Sequence, residues 1–284
     1  MFIARLTEHL EQSGVSVDLV MPYEARCQRE EKIHGAAVHR FQYWIPARLQ
    51  RLASDTGIPR DLRTLVGKIQ LPLFLLMYLT KAARYACRAD LLHANWIFSG
   101  LMAVLLGAIY RKRVILTVHG SDIEIAKRNS LLRLMARWVL RKTARTIAVS
   151  RNLKEDLISI GASPSSVVVL PNGVDTKIFY ETPPPLAGKS VLWVGRMSAE
   201  KNLPTLIHAF ANIKSQLVEA TLTLLGDGDC RRQVEELVEA HGLSSAVRML
   251  GFRTRDSVAE EMRNCNVFAL PSLSEGLPLT LLEA

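Results

Sequence analysis

The hydrophobic positions of the chain fall into short β-rich runs separated by longer stretches of helical period. "VSVDLVMP" (Val15–Pro22) follows a helix-like "FIARLTEHLEQSG" whose Gly14 is a helix stop. Further strands are predicted at "AVHRF" (Ala37–Phe41), "LLHA" (Leu91–Ala94), "RVILTVHG" (Arg113–Gly120), "RTIAVS" (Arg145–Ser150) and "SVVVLP" (Ser166–Pro171). Amphipathic stretches such as "LLRLMARWVLRKTA" lie between the later ones. Short apolar strands alternating with helices predict a parallel sheet covered by helices. "YETPPPLAGKS" (Tyr180–Ser190), with three consecutive prolines, then reads as an extended linker. The alternation resumes with "SVLWVG", a helix from Ser198, "ATLTLLG", a helix from Arg231, "VRML", a helix near Ser257, "NVFALP" and the closing "LPSLSEGLPLTLLEA". The predicted class is therefore α/β, with two tandem doubly wound (Rossmann-like) domains at residues 1–180 and 190–284, joined by a linker at 181–189.

Composition agrees with two globular domains: 284 residues, 49% hydrophobic and 22% charged. The net charge of +9 is unevenly spread, +12 over residues 1–180 and −3 over the remainder. A basic half attracts nucleic acid, anionic lipid or a phosphorylated ligand, and charge alone does not choose among them. Base-stacking aromatics would mark nucleic-acid binding, but aromatics make up only 6% of the chain. Cys27, Cys87, Cys230 and Cys265 are scattered without a C-x-x-C pair, which predicts reduced thiols in the cytoplasm. No signal peptide is read at Met1-Phe2-Ile3-Ala4. "LPLFLLMYLT" (Leu71–Thr80) and "IFSGLMAVLLGAIY" (Ile97–Tyr110) read as buried helices too short to span a bilayer.

In doubly wound sheets the ligand sits outside the carboxyl ends of the strands. After "SVLWVG", Gly195 is followed by Arg196, then Ser198 as a candidate N-cap and Lys201 three residues on. A strand, a glycine and a helix N-terminus flanked by two cations suit a diphosphate. The closing segment repeats the geometry: a strand, a loop over Ser272–Gly276, and Pro278 opening a helix. Glu275 stands in that loop, Gly276 lets backbone approach a ligand, and Glu283 lies further along the helix. Carboxylates set apart along one extended ligand suit a molecule with hydroxyls at both ends, such as a nucleotide sugar.

"VGRMSAEKNLPTLIHAF", "LLGDGDCRRQVEELVEAHGLSSAVRMLGF" and "NVFALPSLSEGLPLTLLEA" resemble the donor-binding half of glycosyltransferase family 4, retaining enzymes of the GT-B fold. "TVHGSD" and "AVSRNLKEDLISIGASPSSVVVLPNGVDTKIF" resemble its first half. The resemblance covers roughly Asp90 to the end. It implies that Arg196 and Lys201 hold the donor diphosphate. Glu283 would take the ribose hydroxyls, and Glu275 the transferred sugar. His119 matches the histidine that projects toward that sugar. Asp122, Gly195 and Gly226 are possible further contacts, and Asn172–Asp175 matches the family's "NGVD", read here as turn chemistry. The family also implies a strand and glycine-rich loop before the first helix, and further elements beyond the E-x7-E helix. Their absence makes the chain an expected fragment, its second domain truncated.

"DGD" at Asp227–Asp229 mimics a metal site but falls where the family has a glycine-rich loop. His93-Ala94-Asn95-Trp96 lacks partners to complete a metal set. No metal and no cofactor are expected. The expected partners are a nucleotide-sugar donor and a glycan or lipid-linked acceptor, with an anionic membrane surface as a candidate and no nucleic acid. The expected location is cytoplasmic, with a peripheral place at the inner face of the plasma membrane as a candidate. For the last, "YWIPARLQRLAS" (Tyr43–Ser54) is a candidate amphipathic helix. A GT-B-like epimerase and a basic nucleic-acid-binding protein remain as alternatives.

Overall fold

The structure, a computed structural model, describes residues 2–24, 27–52, 64–183 and 188–284. The chain forms two compact units, residues 1–171 and 172–284. In the first, helix α1 (Phe2–Gln12) precedes strands β1 (Asp18–Pro22), β2 (Glu30–Ile33) and β3 (Ala36–Phe41). These make a three-stranded sheet in the order β1-β3-β2, with β1 parallel and β2 antiparallel to β3. The β2–β3 hairpin turns through His34-Gly35, both at positive φ as a two-residue turn of this hand requires. Strand β2 escapes sequence patterning because "EEKI" is short and mostly charged.

The second sheet of this unit is fully parallel, ordered β4 (Leu91–Asn95), β5 (Arg113–Val118), β6 (Arg145–Ala148) and β7 (Val167–Val169). Helix α2 (Leu65–Ala86) packs on the three-stranded sheet, Phe74 against Phe41 and Tyr43, while α3 (Ile97–Tyr110), α4 (Ser121–Arg128), α5 (Ser130–Lys142) and α6 (Arg151–Ile160) accompany the parallel one. Leu116, Val118, Ala136, Val139 and Leu157 are fully buried within this layer. Helix α2 is longer than "LPLFLLMYLT" suggests and is long and apolar enough, by length and composition, to cross a membrane. It buries one face through Gly67, Gln70 and Phe74 and leaves Leu65, Val66, Ile69 and Leu76 exposed.

The stretch read as an amphipathic helix at Tyr43–Ser54 is not one. Its described part holds only a 3-10 turn at Ala47–Leu49, while Ala53 and Ser54 lie outside the described residues. Pro46 disfavours helix at Ile45. Tyr43 (2% exposed) and Leu52 (3%) are anchored inward, the Tyr43 hydroxyl donating to the Leu52 carbonyl at 2.7 Å.

The second unit carries one parallel sheet in the order β10 (Val247–Gly251), β9 (Thr221–Leu225), β8 (Ser190–Val194), β11 (Val267–Phe268). Helices α7 (Leu203–Gln216), α8 (Arg231–Ala240), α9 (Arg255–Arg263) and α10 (Leu279–Glu283) complete it. Trp193, Ile207, Phe210, Leu222, Leu224 and Val234 form its core. Val174, Ile178 and Phe179 pack with Leu192, Leu225, Ala259 and Met262. Residues 172–179 therefore belong to this unit. The boundary falls before the Asn-Gly turn, not at the proline-rich stretch, because Ile178 and Phe179 are the apolar residues that cover this sheet. Of that stretch, residues 184–187 lie outside the described residues.

The ends of β8 and β9 touch through glycine. Gly195 N–H donates to the Leu225 carbonyl at 3.0 Å, and Gly226 sits at φ 129. A Cβ at Gly226 would lie 1.8 Å from the Gly195 carbonyl oxygen. Gly226→Ala should therefore cost more than about 3 kcal/mol, since backbone has to part. Gly242→Ala, at positive φ with nothing within 4 Å, should cost only about 1–2 kcal/mol. Urea unfolding of the two variants checks the difference; equal costs would contradict the contact.

Candidate active site

In the second unit β9 and β10 extend the sheet to one side of β8, and β11 then adds to the other. The reversal between β8 and β11 is a topological switch point, and the crevice beyond those strand ends is where such sheets bind ligands. The loop after β8 is pinned from below. Met197 N–H donates to the Asp227 carbonyl at 2.9 Å, and Met197 and Ser198 are buried. Arg196 is exposed between Gly195 and this anchor. The helix expected from Ser198 begins later. A 3-10 turn spans Ala199–Lys201, Asn202 adopts a left-handed conformation (φ 51), and α7 starts at Leu203 with Pro204 in its first turn. Ser198 does not cap that helix; its hydroxyl donates to Glu200 Oε1 at 2.7 Å.

The loop after β11 latches onto this turn. Leu273 N–H donates to the Glu200 carbonyl at 2.9 Å, and Asn202 Nδ2 to the Pro271 carbonyl at 3.4 Å. Lys201 Nζ donates to Glu275 Oε1 at 2.5 Å, the two side chains 22% and 23% exposed. Two residues assigned to the ligand from sequence thus meet each other at the switch point, with Gly276 next in the loop. Strand β11 is shorter than "NVFALP" suggested, two residues long, because the chain leaves the sheet after Ala269, whose N–H donates to the Leu192 carbonyl at 2.8 Å, to build the loop.

Glu283 is held separately, on α10. Arg255 Nη2 donates to Glu283 Oε1 at 3.2 Å, Arg255 Nη1 lies 3.8 Å from Asp175 Oδ2, and the guanidinium stacks over Phe179. Burial pushes the Glu283 carboxyl above its ordinary range, with Arg255 opposing that rise. Sequence reasoning missed Arg255, one arginine among many in "FRTRD", and read Asp175 only as turn chemistry. The structure makes them one polar link between the Asn-Gly turn and the motif helix. Asp227 is engaged locally. It accepts from Gly228 N–H at 2.8 Å and pairs with Arg231 at 3.2 Å. Among the described residues no three His, Cys, Asp or Glu side chains converge as a metal set.

In the first unit His119 follows β5. Its Nε2 lies 3.0 Å from Asn95 Oδ1, and its ring 4.9 Å from that of Trp96 at the end of β4. Burial, then the nearby His93, lower its pKa to about 4. An amide oxygen only accepts, so Nε2 carries the proton of a neutral imidazole. His119 therefore offers hydrogen bonding and no charge at physiological pH. The His93–Trp96 run supplies its neighbours. His93 itself bonds Thr117 Oγ1 at 2.8 Å and is also shifted down by burial. Asp122, the weaker candidate, is used by the fold. Half-buried, it accepts from Ile97 N–H at 2.6 Å, capping α3, whose N-cap residue Trp96 gives no side-chain cap. Burial raises the Asp122 carboxyl.

The chain is similar to several known proteins. The profile of Glycosyltransferase Family 4 matches residues 1–178, and that of Glycosyl transferases group 1 matches residues 175–284. The chain belongs to Glycosyltransferase Family 4. Its fold is GT-B: it superposes on sucrose-phosphate synthase from Thermosynechococcus elongatus with a TM-score of 0.80 at 22% identity, over 99% of this chain and 72% of that one. The Anabaena protein HepE, in complex with UDP and glucose, matches with a TM-score of 0.67 at 20% identity over 88% of this chain and 65% of that one. An uncharacterised glycosyltransferase of Methanocaldococcus jannaschii is 30% identical over 195 residues, 68% of this chain and 52% of that protein. The UDP-Gal:alpha-D-GlcNAc-diphosphoundecaprenol alpha-1,3-galactosyltransferase of Escherichia coli is 26% identical over 82% of this chain and 62% of its own length. The chain spans about half the length of the first curated relatives it matches.

The His119 environment gives a signed expectation. Its folded pKa is depressed below the ordinary 6.5, so between those values the unfolded chain binds a proton that the folded chain does not. This group's contribution is thus fully present above about pH 6.5 and falls as pH drops toward 4. Its NMR resonance should titrate near pH 4 rather than 6.5. A midpoint near 6.5 would contradict the buried, neutral assignment.

Proposed function

We propose that the protein is a retaining glycosyltransferase. It moves a hexose-type sugar from a nucleoside-diphosphate sugar to a hydroxyl of an envelope polysaccharide, lipid-linked or other glycan acceptor. The observation that carries this reading is the meeting of Lys201 and Glu275 across the loops flanking the β8/β11 switch point, with Arg196 exposed in the same loop as Lys201. Two cations there suit the leaving diphosphate, and their stabilisation of its growing charge is the main catalytic contribution. The sugar C1–oxygen bond breaks with its electron pair leaving on the diphosphate. The acceptor oxygen bonds to C1, and on the same-face course that the family resemblance implies its proton passes to the departing phosphate oxygen. Glu275 orients the transferred sugar, Glu283 takes the ribose hydroxyls, and neutral His119 hydrogen-bonds a sugar hydroxyl.

Two likenesses support the donor and acceptor classes. The Escherichia coli relative is named for a UDP-sugar and a lipid-diphosphate acceptor, and the Anabaena neighbour holds UDP and glucose. A lipid-linked acceptor puts the work at the inner face of the plasma membrane, where a peripheral enzyme meets it from the cytoplasm. Arg196 and Lys201 take the place a divalent ion has at other diphosphate sites, so no metal or cofactor is required.

Calorimetric titration with UDP and GDP tests the donor site. Arg196→Ala and Lys201→Ala should each weaken the preferred nucleotide by roughly 1.5–3 kcal/mol, about ten- to a hundredfold. Glu275→Gln removes the carboxylate that competes for Lys201. It should leave nucleotide binding as tight or tighter while sugar transfer falls. Transfer should survive EDTA. Nucleotide binding indifferent to both cation variants, or transfer abolished by EDTA and restored by magnesium, would overturn the reading.

A further inference from the structure

We infer that the outward face of α5 is a docking surface for an anionic phospholipid bilayer. Helix α5, "SLLRLMARWVLRK", buries Ala136, Val139 and Leu140 on one face. On the opposite face Leu131 (72% exposed), Leu134 (64%) and Trp138 (41%) stand at i, i+3 and i+7, which aligns them in one stripe. A soluble helix normally turns polar residues outward, and here the outward stripe is large and apolar.

The charges beside it fix the occupant. The helix contains no acidic residue. Arg141 and Lys142, three and four residues beyond Trp138, extend the stripe by one turn, and both are exposed. Neither forms an ion pair among the described residues. Lys127, by contrast, is neutralised by Glu124 and Asp156, and Arg133 donates to the Ser159 carbonyl. An apolar stripe with a tryptophan, bordered by unneutralised cations, matches the boundary between headgroups and acyl chains, and the cations match anionic headgroups. Helix α2 exposes an apolar stripe too, but between Leu65 and Leu76 its only charged residue is Lys68. It lacks the complement of charge that names a partner for α5.

This goes beyond the proposed transfer reaction and takes from it only the location near a membrane. The test is cosedimentation of the purified chain with vesicles of phosphatidylglycerol and phosphatidylethanolamine, against vesicles of phosphatidylcholine alone. Binding should favour the anionic vesicles and weaken in high salt. Leu134→Glu with Trp138→Glu, and separately Arg141→Glu with Lys142→Glu, should each weaken it by about tenfold or more. Ile69→Glu on α2 should leave it intact. All these positions are exposed, and unchanged circular dichroism and UDP titration show that each variant is folded. Wild-type binding that the α5 variants do not reduce, or that Ile69→Glu reduces equally, would overturn the docking surface while leaving a membrane location standing. No binding by the wild-type chain would overturn both, with the donor-site titration still judging the transfer reaction separately. Self-association that the α5 variants abolish, without vesicle binding, would reassign the face to a second copy of the chain.

Discussion

The ion pair between Lys201 and Glu275 is the interaction on which the candidate site turns. It joins the loop after β8 to the loop after β11, across the point where the strand order reverses. Beside it, Leu273 N–H to the Glu200 carbonyl and Asn202 to the Pro271 carbonyl hold the two loops in register. A partly exposed pair of this kind contributes at most about 1 kcal/mol. A diphosphate brings two or more negative charges and several acceptor oxygens, so it outcompetes one carboxylate for the lysine. The resting pair thus holds the loops near their working positions and keeps Lys201 from standing as an unpaired charge.

Glu283 is built on a different principle. Its partner Arg255 is also near Asp175 and stacked on Phe179, in a more enclosed setting where burial raises the carboxyl. Removing Glu283 would leave a half-buried guanidinium with only the longer 3.8 Å contact to Asp175, whereas removing Glu275 would free a partly exposed lysine. The two carboxylates of the E-x7-E spacing are consequently not equivalent. One is held by a single partly exposed lysine, and the other is tied into the unit's framework. Beneath both, the Gly195–Gly226 contact closes the ends of β8 and β9, and no side chain larger than hydrogen fits at Gly226.

Much of this was legible in the sequence wherever one physical signal dominated. Buried parallel strands such as "RVILTV" and "TLTLL" are short apolar runs, and their alternation with helices gave the class and the family resemblance. Tertiary competition hid the rest. Strand β2 is charged and pairs only at an edge. The stretch from Tyr43 has a helical arrangement of apolar residues, yet Pro46 and the inward anchoring of Tyr43 and Leu52 override it. Asn202 in a left-handed conformation delays α7 past Ser198, which side-chain preference at a helix start does not reveal. Arg255 and the capping role of Asp122 depend on partners 28 and 25 residues away respectively, and no local pattern connects them. The domain boundary was misplaced because prolines mark an extended chain, while packing of Ile178 and Phe179 decides which unit owns it.

The central claim is that the β8/β11 crevice receives the donor diphosphate by exchanging the Lys201–Glu275 pair. A crystal structure of the chain with UDP tests it directly. The account predicts the terminal phosphate within hydrogen-bonding distance of Lys201 Nζ and the Arg196 guanidinium, with Lys201 released from Glu275 and the ribose hydroxyls on Glu283. UDP bound away from the ends of β8 and β11, or bound there with the Lys201–Glu275 pair intact, would contradict it.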